Sequence, residues 1–308
     1  MDPLSDVLSL LKLHSYACGG FDVGGTLCIQ FHKHAGIKCY ALVSGEAWLS
    51  VEGVSAPVQL KAGDCFLLPR GRPFCLASEL GVAPVDFFTL RGNAKNGTVA
   101  SYNGGGRFFM VGGHFALSGD HASILLGVLP PIVHLQKESD KAVLRWSIER
   151  IMEEMREPQP GSFLIAQHLA YTMLLQALRL HLSDASHGQV GWLFALADKQ
   201  MGAAIAALHE APGHHWTLQA LAERVGMSRS TFAQRFKDTV GESPMEYLTR
   251  WRMLVAGDKL AHSADPVSVI SLALGYESEA AFSTAFKRVM GCSPRQYGRG
   301  DRHGTPAH

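Results

Sequence analysis

The sequence predicts a β + α chain: a β-barrel, then a helical linker, then an all-α region built on two helix-turn-helix units. Three observations carry this expectation. Short apolar runs broken by turn residues fill the text from Gly19 to Gly113. The apolar period lengthens from strand-like to helix-like after Pro130-Pro131. In the last third of the chain one motif recurs at an offset of 50 residues.

The apolar runs of the first half are Thr26–Phe31, Cys39–Val43, Ala47–Val51, Pro57–Leu60, Cys65–Leu68 and Phe74–Ala77. Between them stand Ser44-Gly45-Glu46, Glu52-Gly53, Lys61-Ala62-Gly63-Asp64 and Pro69-Arg70-Gly71-Arg72-Pro73. Short strands at roughly ten-residue spacing, separated by Gly, Pro and Asp turns, point to a sandwich or barrel. Runs such as Ala47–Val51 do not alternate, so several strands are expected to be covered on both faces.

Beyond Pro131, Val143, Leu144, Ile148, Ile151, Met152 and Met155 recur at helical spacing, and Pro158-Gln159-Pro160-Gly161 stops that helix. Phe163–Leu182 reads as a second helix whose apolar residues surround more than one face. It must cover more than its hairpin neighbour. Two coverings are open, the underside of the β domain and a second copy of the chain. The expected divisions are a β domain over residues 1–122, a helical linker and dimerisation region over 123–190, a helical domain over 191–300, and a disordered tail over 301–308.

The repeat is specific. Ser228, Phe232, Phe236, Lys237, Gly241, Ser243, Pro244 and Tyr247 recur as Ser278, Phe282, Phe286, Lys287, Gly291, Ser293, Pro294 and Tyr297. Upstream the offset becomes 49, pairing Gly226 with Gly275, so the second copy carries one extra residue in its turn. Thr217 is placed to cap a helix whose Leu218, Leu221, Ala222 and Val225 face inward, and Gly226 supplies the positive φ of a tight turn. Ser228 then caps a second helix that buries Phe232 and Phe236. A helix, a short turn and an exposed second helix form the arrangement that enters a DNA major groove. In the second copy Asp265-Pro266 opens the first helix and Ser278 caps the second, and Pro244–Ala261 joins the units as one long helix.

Composition narrows the classes without deciding among them. The 308 residues carry 28 Lys and Arg against 27 Asp and Glu, which excludes a polycationic or acidic tail protein. The balance is uneven, because Pro212–Gly300 alone holds 11 Lys and Arg against 8 Asp and Glu. The N-terminal residues are acidic where a signal peptide is basic, and no apolar run is long enough to span a bilayer. Six cysteines (18, 28, 39, 65, 75 and 292) show no metal spacing and are read as reduced thiols. The expected location is the bacterial cytoplasm, at the nucleoid, with no membrane partner.

The segments Leu221–Ser228, Phe232–Lys237, Gly275–Phe282, Phe286-Lys287-Arg288 and Gly291–Pro294 resemble the DNA-binding domain of the AraC/XylS family of transcription regulators. The resemblance implies two recognition helices entering successive major grooves about 34 Å apart. Leu42–Leu49, Leu60–Pro69 and Gly71–Phe74 resemble the cupin-type sensor domain of a subgroup of that family. The fold class is then a cupin-like β-barrel, a helical linker and an all-α double helix-turn-helix domain. The implied function is a sequence-specific DNA-binding regulator, not an enzyme, whose barrel senses a small molecule or thiol oxidation. The alternatives are a metal-dependent cupin enzyme fused to a DNA-binding module and an architectural DNA-binding protein without an effector.

Candidate residues follow. On the first recognition helix Arg229, Ser230, Ala233 and Gln234 face DNA, with Gln234 suited to an adenine edge and Ala233 to a thymine methyl. Arg229, Arg235 and Lys237 are assigned to phosphates or solvent. On the second, Glu279, Ala280, Ser283, Thr284 and Lys287 hold the matching face, and few cations there imply weak discrimination or shape readout. Tyr40, Trp48, Phe66 and Phe74 are expected to line an effector site, and Cys18, beside Gly19-Gly20, is the thiol expected to be accessible. Tyr40 and Phe74 stand where an enzymatic cupin would place histidines. His32 and His34 are the one ligand-like pair, both on one side if they lie on a strand, and are read as turn histidines because no third ligand accompanies them. No cofactor is expected. The expected partners are double-stranded DNA, RNA polymerase where the regulator activates, a small-molecule effector and a second copy of the chain.

Overall fold

The computed structural model describes residues 2–10, 13–91, 98–117, 127, 129–184 and 190–299. The expected tail, 301–308, lies outside them. The chain divides into two compact units: Leu13–Asp184, and Met1–Lys12 together with Ala185–His308. This differs from the boundaries at 122 and 190 for two physical reasons. The two helices of the expected linker pack on the β sheet, and the first residues form a helix that belongs with the C-terminal unit.

The β unit contains β1 (Leu13–Val23), β2 (Cys28–Phe31), β3 (Ile37–Val51), β4 (Val58–Lys61), β5 (Cys65–Leu68), β6 (Phe74–Ala77), β7 (Pro84–Asp86), β8 (Val99–Tyr102), β9 (Phe108–Leu117) and β10 (Val133–Leu135). They make one curled sheet whose main path runs β7-β2-β6-β3-β9-β1-β8, with β4, β5 and β10 pairing off it. Ser44-Gly45-Glu46, expected to be a turn, lies inside the 15-residue β3. The register against β9 shifts between Leu42 and Ser44. Gly45 sits there at φ +78°, and a Cβ on it would collide with the Arg107 carbonyl. This is a glycine bulge, which lets one strand bend from a partnership with β9 and β5 into one with β4 and β6. The bend curls the sheet into a half-barrel.

Inside the curl, Leu42, Ala47, Leu49, Leu60, Phe66, Phe74 and Leu76 form the apolar core with Phe31 and Tyr40. Among the described residues between β2 and α3 (Glu138–Arg156) there is one short helix, α2 (Phe87–Arg91). Helix α3 pairs with α4 (Ser162–Asp184). Helix α4 buries Ala166, Ala170, Met173, Leu174, Ala177 and Leu178. It lies on strands β1, β3, β5, β9 and β10, so the sheet, not a second copy, covers that face. A Cβ on Gly113 would touch Ala170, which shows how closely the helix approaches the strand.

In the helical unit, α1 (Pro3–Leu10) begins at Asp2, whose carboxylate accepts from the Ser5 N–H at 3.0 Å. It buries Val7 and was not anticipated, because eight residues give too short a periodic signal. It belongs with α6 (Lys199–Glu210) and α9 (Pro244–His262), which removes residues 1–12 from the expected sensor domain. The remaining helices are α5 (Trp192–Ala195), α7 (Leu218–Arg224), α8 (Arg229–Val240), α10 (Val267–Ala273), α11 (Glu279–Met290) and α12 (Pro294–Gly298). No helix among the described residues is long and apolar enough to cross a membrane.

Candidate functional site

The sequence repeat is a repeat of side-chain roles. Phe232 and Phe236 pack edge to face at 5.6 Å, and Phe236 meets Tyr247 at 5.9 Å. Phe282, Phe286 and Tyr297 repeat the trio at 5.7 and 5.5 Å. All four phenylalanines are fully buried. Ser228 and Ser278 cap α8 and α11 by accepting from the N–H groups of Thr231 and Ala281, each at 3.2 Å. Gly241 and Gly291 end the helices in the left-handed conformation at φ +92° and +78°. Ser243 with Glu246 and Ser293 with Gln296 then close reciprocal capping boxes on the helices that follow. These devices fix the exposed face of each recognition helix.

The turns match too. The Met227 N–H donates to the Ala222 carbonyl at 2.9 Å, and Tyr276 donates to Ser271 at 3.1 Å. The extra residue of the second copy is therefore Glu277, placed after the turn and before the cap. Thr217 caps α7 as expected, but Pro266 precedes α10 without a side-chain cap. The Ser271 hydroxyl, buried where Ala222 stands in the first copy, donates to the Ser268 carbonyl at 2.9 Å and so is not left unpaired.

On α8, Arg229, Ser230, Gln234 and Lys237 are exposed and Ala233 is half-buried. The Gln234 amide donates to Asp238 at 2.8 Å. Arg235 departs from the phosphate or solvent assignment. Its guanidinium donates to Asp198 at 2.5 Å and to Gln200 at 2.8 Å, bracing α8 against the start of α6. On α11, Ala280, Thr284 and Lys287 are exposed, while Glu279 and Ser283 are half-buried. The Thr284 hydroxyl donates back to the Ala280 carbonyl at 3.0 Å, and Glu279 pairs with Arg295 at 3.6 Å. Arg288, missed from sequence, borders a shallow depression with Ala280, Ala281, Thr284 and Ala285. Its position four residues after Thr284 was the available signal, since that spacing returns to one helix face. This helix is less short of cations than the sequence reading assumed.

The β unit holds a cavity of about 320 Å³. Of the four aromatics expected to line it, Tyr40 does, facing Phe21 at 6.2 Å. Phe66 lies behind Tyr40 at 5.6 Å, and Phe74 lies behind Phe31, stacked at 4.4 Å, so both belong to the wall's second layer. Trp48 alternates with the buried Ala47 and Leu49 and so lies on the opposite face of β3. The inner lining comes instead from Phe21, Phe31, Lys38, Phe87, Tyr102 and His114, which sequence reasoning missed. Glycine was the hidden cause. Gly112 stands opposite Tyr40 across β3 and β9, and a Cβ there would collide with the Tyr40 ring.

The histidines do not share a strand, because β2 ends at Phe31 and the alternation expected of His32 and His34 has no strand to act on. His32 pairs with Asp86. His34 turns its ring to His114 at 5.5 Å, and both of its nitrogens are buried without a partner. Burial first, then Lys38 and His114, push its pKa down to about 3. Among the described residues no group of three or more His, Cys, Asp or Glu converges as a metal site would require. Cys18 is buried, not accessible, and burial pushes its thiol up, away from the reactive thiolate. Its backbone pairs with Gly113, on the sheet face turned to α4.

A β-barrel joined to two matched helix-turn-helix units defines a DNA-binding regulator with a cupin-type N-terminal domain. Residues 2–183 match the Cupin family and residues 221–300 the family described as helix-turn-helix domain. The chain is 41% identical over 298 residues to a putative AraC-like transcription regulator of Streptomyces lividans, covering 96% of this chain and 98% of that one. It is 40% identical to a protein of the same description from Streptomyces antibioticus, with the same coverage. It is 31% identical to the HTH-type transcriptional regulator AlkR of Acinetobacter baylyi, over 96% of this chain and 99% of that one. The chain belongs to the AraC-like transcription regulators. The relatives named here are all described as transcription regulators.

Proposed function

We propose that the chain is an effector-responsive regulator whose β cavity receives a small molecule and whose paired recognition helices read two successive major-groove segments. The observation that carries the effector reading is the cavity itself. It is aromatic-walled, is lined in part by the half-buried His34, whose shielded ring nitrogens lack well-formed hydrogen bonds, and is the kind of concave, mostly apolar site with few polar groups that small molecules occupy. Thiol oxidation is the less supported signal, because Cys18, Cys28, Cys39, Cys65 and Cys292 are buried. The half-buried Cys75 donates its thiol hydrogen to Gln30 at 3.0 Å.

On the DNA side the reading assigns Arg229, Ser230, Ala233, Gln234 and Lys237 to the first groove and Ala280, Ser283, Thr284, Lys287 and Arg288 to the second. The pairing of Glu279 with Arg295 takes it out of the base-facing set, and the pairing of Arg235 with Asp198 takes it out of the phosphate-contacting set. The exposure of Val143, Trp146 and Leu164 on the α3–α4 pair supports a second copy of the chain as partner there. RNA polymerase is a partner if the bound protein activates, and the cytoplasm is where such a partner is met.

The test is a thermal-shift and operator-binding assay on the full chain with a small-molecule panel, compared with Ala100→Trp, which fills the cavity from β8. A compound that raises the melting temperature and changes operator affinity in the wild type, and does neither in the filled variant, supports the reading. Equal responses in both proteins would remove the cavity from it.

A further inference from the structure

The cavity wall carries a charge that no carboxylate among the described residues pairs with. Strand β3 sets Lys38 two residues before Tyr40, so both side chains share the inner face, and β9 places His114 directly across from Lys38. Lys38 is only 7% exposed. Its Nζ lies 4.6 Å from the centre of the Phe31 ring and 4.9 Å from that of Phe74. Two ring faces hold an ammonium electrostatically, but they do not complete its hydrogen bonds. Burial alone lowers the amine to about 8, with no carboxylate acting to raise it. At neutral pH the group is still mostly charged.

The other polar groups around the cavity point the same way. The His114 Nε2–H donates to the Ala35 carbonyl at 2.5 Å, and burial pushes the ring's pKa down, toward the neutral form. Burial pushes His34 toward the neutral form, and its ring nitrogens have no well-formed hydrogen bond, the neighbouring Ala35 carbonyl being taken by His114. Lys33 adds a second cation to the lining. Asp86, the acid that pairs with the lining residue His32, also accepts from the N–H groups of Phe88 and Thr89. A neutral guest would leave a buried ammonium unpaired, and a cationic guest would be repelled by it. An anion supplies the missing partner, and charge-assisted hydrogen bonds of this kind are the strong ones.

Resting on the effector reading above, we infer that the cavity takes an organic anion with an apolar, ring-sized body. The carboxylate or a similar head group pairs with the Lys38 ammonium and accepts from the His34 N–H. The body lies among Phe21, Phe31, Tyr40, Phe87 and Tyr102. Lys38 then sets ligand class, while the rings set ligand shape.

The experiment titrates the full chain by calorimetry with 2-naphthoate and with its uncharged isostere 2-naphthamide. Wild type is expected to bind the carboxylate at least about tenfold more tightly than the amide. Lys38→Met is expected to lose that preference while keeping or improving amide binding, and Lys38→Arg to retain it. Carboxylate affinity is also expected to fall as pH rises through 8 and 9, with amide affinity unchanged. Equal binding of the two probes by wild type overturns the anion inference and leaves the effector reading standing. Binding of neither probe by wild type overturns both. The wild-type comparison decides the matter even if a Lys38 variant fails to fold.

Discussion

Arg235 reaches from the first recognition helix to Asp198, the residue that begins α6, and donates to its carboxylate at 2.5 Å. The same carboxylate accepts from the N–H groups of Gln200 and Met201 at 2.9 and 3.0 Å, so it caps α6 while it anchors α8. Burial works to raise the Asp198 carboxyl, but the Met201 N–H and the Arg235 guanidinium outweigh it and hold the group below its ordinary value. The orientation of the DNA-facing helix is thus tied to a cap outside the helix-turn-helix unit. Asp198→Ala is expected to cost about 1–2 kcal/mol by loss of the cap. Arg235→Ala is expected to cost about 1 kcal/mol or less, because that pair is partly exposed. Denaturant unfolding measures both. Arg235→Ala is also expected to weaken operator binding evenly across base-substituted operators. A change confined to one base pair would show that Arg235 reads DNA directly.

The two buried phenylalanine pairs allow a comparison within one molecule. Phe232→Ala and Phe282→Ala each remove a fully buried ring from the same place in the two copies. Each is expected to cost about 3–5 kcal/mol. The two losses should agree closely, because each ring touches an equivalent phenylalanine. A loss below about 1 kcal/mol at either site would show that the copies are not equivalent in packing.

The legibility of the sequence followed the range of the interactions. The recognition helices could be read because caps, glycine stops and one-turn phenylalanine spacing are local features, and a second copy confirmed each of them. Arg235 was misassigned because its partner Asp198 lies 37 residues away and no local pattern links them. The barrel strands were legible as segments, but Ser44-Gly45-Glu46 read as a turn because a glycine bulge and a turn use the same residues. The cavity was hardly legible. Its lining depends on the β3–β9 register, which brings Lys38 to His114 and Gly112 to Tyr40 across more than seventy residues of sequence. Ala47–Val51 reads as non-alternating and covered on both faces, whereas its burial alternates and Trp48 turns outward, because an apolar Trp on the outer face hides the alternation in the sequence.

Gln234 is the side chain assigned to base reading on α8, and its amide now rests on Asp238. Exchanging a hydrogen bond to Asp238 for one to an adenine edge costs little, because the pair is exposed. Gln234→Ala is expected to lower affinity for the preferred operator about tenfold or more, since a bidentate contact is worth about 1–3 kcal/mol of discrimination. Non-specific binding should be unaffected. The check is a base-substitution series measured at one salt concentration. Unchanged relative affinities would remove Gln234 from the base-reading set.

Trp146 tests the proposed second copy. It is 64% exposed on α3, with Val143 exposed one turn earlier. Trp146→Asp places a charge in that apolar patch without touching the sheet-facing side of the helical pair. The expected result is a shift toward monomer in sedimentation at micromolar concentration, with the melting temperature of the isolated protomer unchanged. If the wild type is itself monomeric there, the patch serves another purpose.

His209 is expected to make the helical unit sensitive to acid. Its ring is buried, stacked on Trp251 at 3.7 Å and hydrogen-bonded through Nε2 to the Tyr247 hydroxyl at 2.7 Å. Nδ1 lies 3.5 Å from the Asp6 carboxylate, so the N-terminal helix also faces this ring. Burial pushes the histidine down to about 3 from its ordinary 6.5. Between those values the unfolded chain carries a proton that the folded chain lacks, so acid favours unfolding. The stability linked to this group is fully present above about pH 6.5 and drains as pH falls toward 3, by at most about 1.4 kcal/mol for each pH unit. Pairing of a protonated ring with Asp6 would soften that slope. His209→Gln keeps a polar group near Tyr247 but cannot titrate. Unfolding curves of the two proteins from pH 7 to 4.5 are therefore expected to converge, with the wild type losing more stability on acidification. Parallel curves would show that His209 does not set the acid sensitivity.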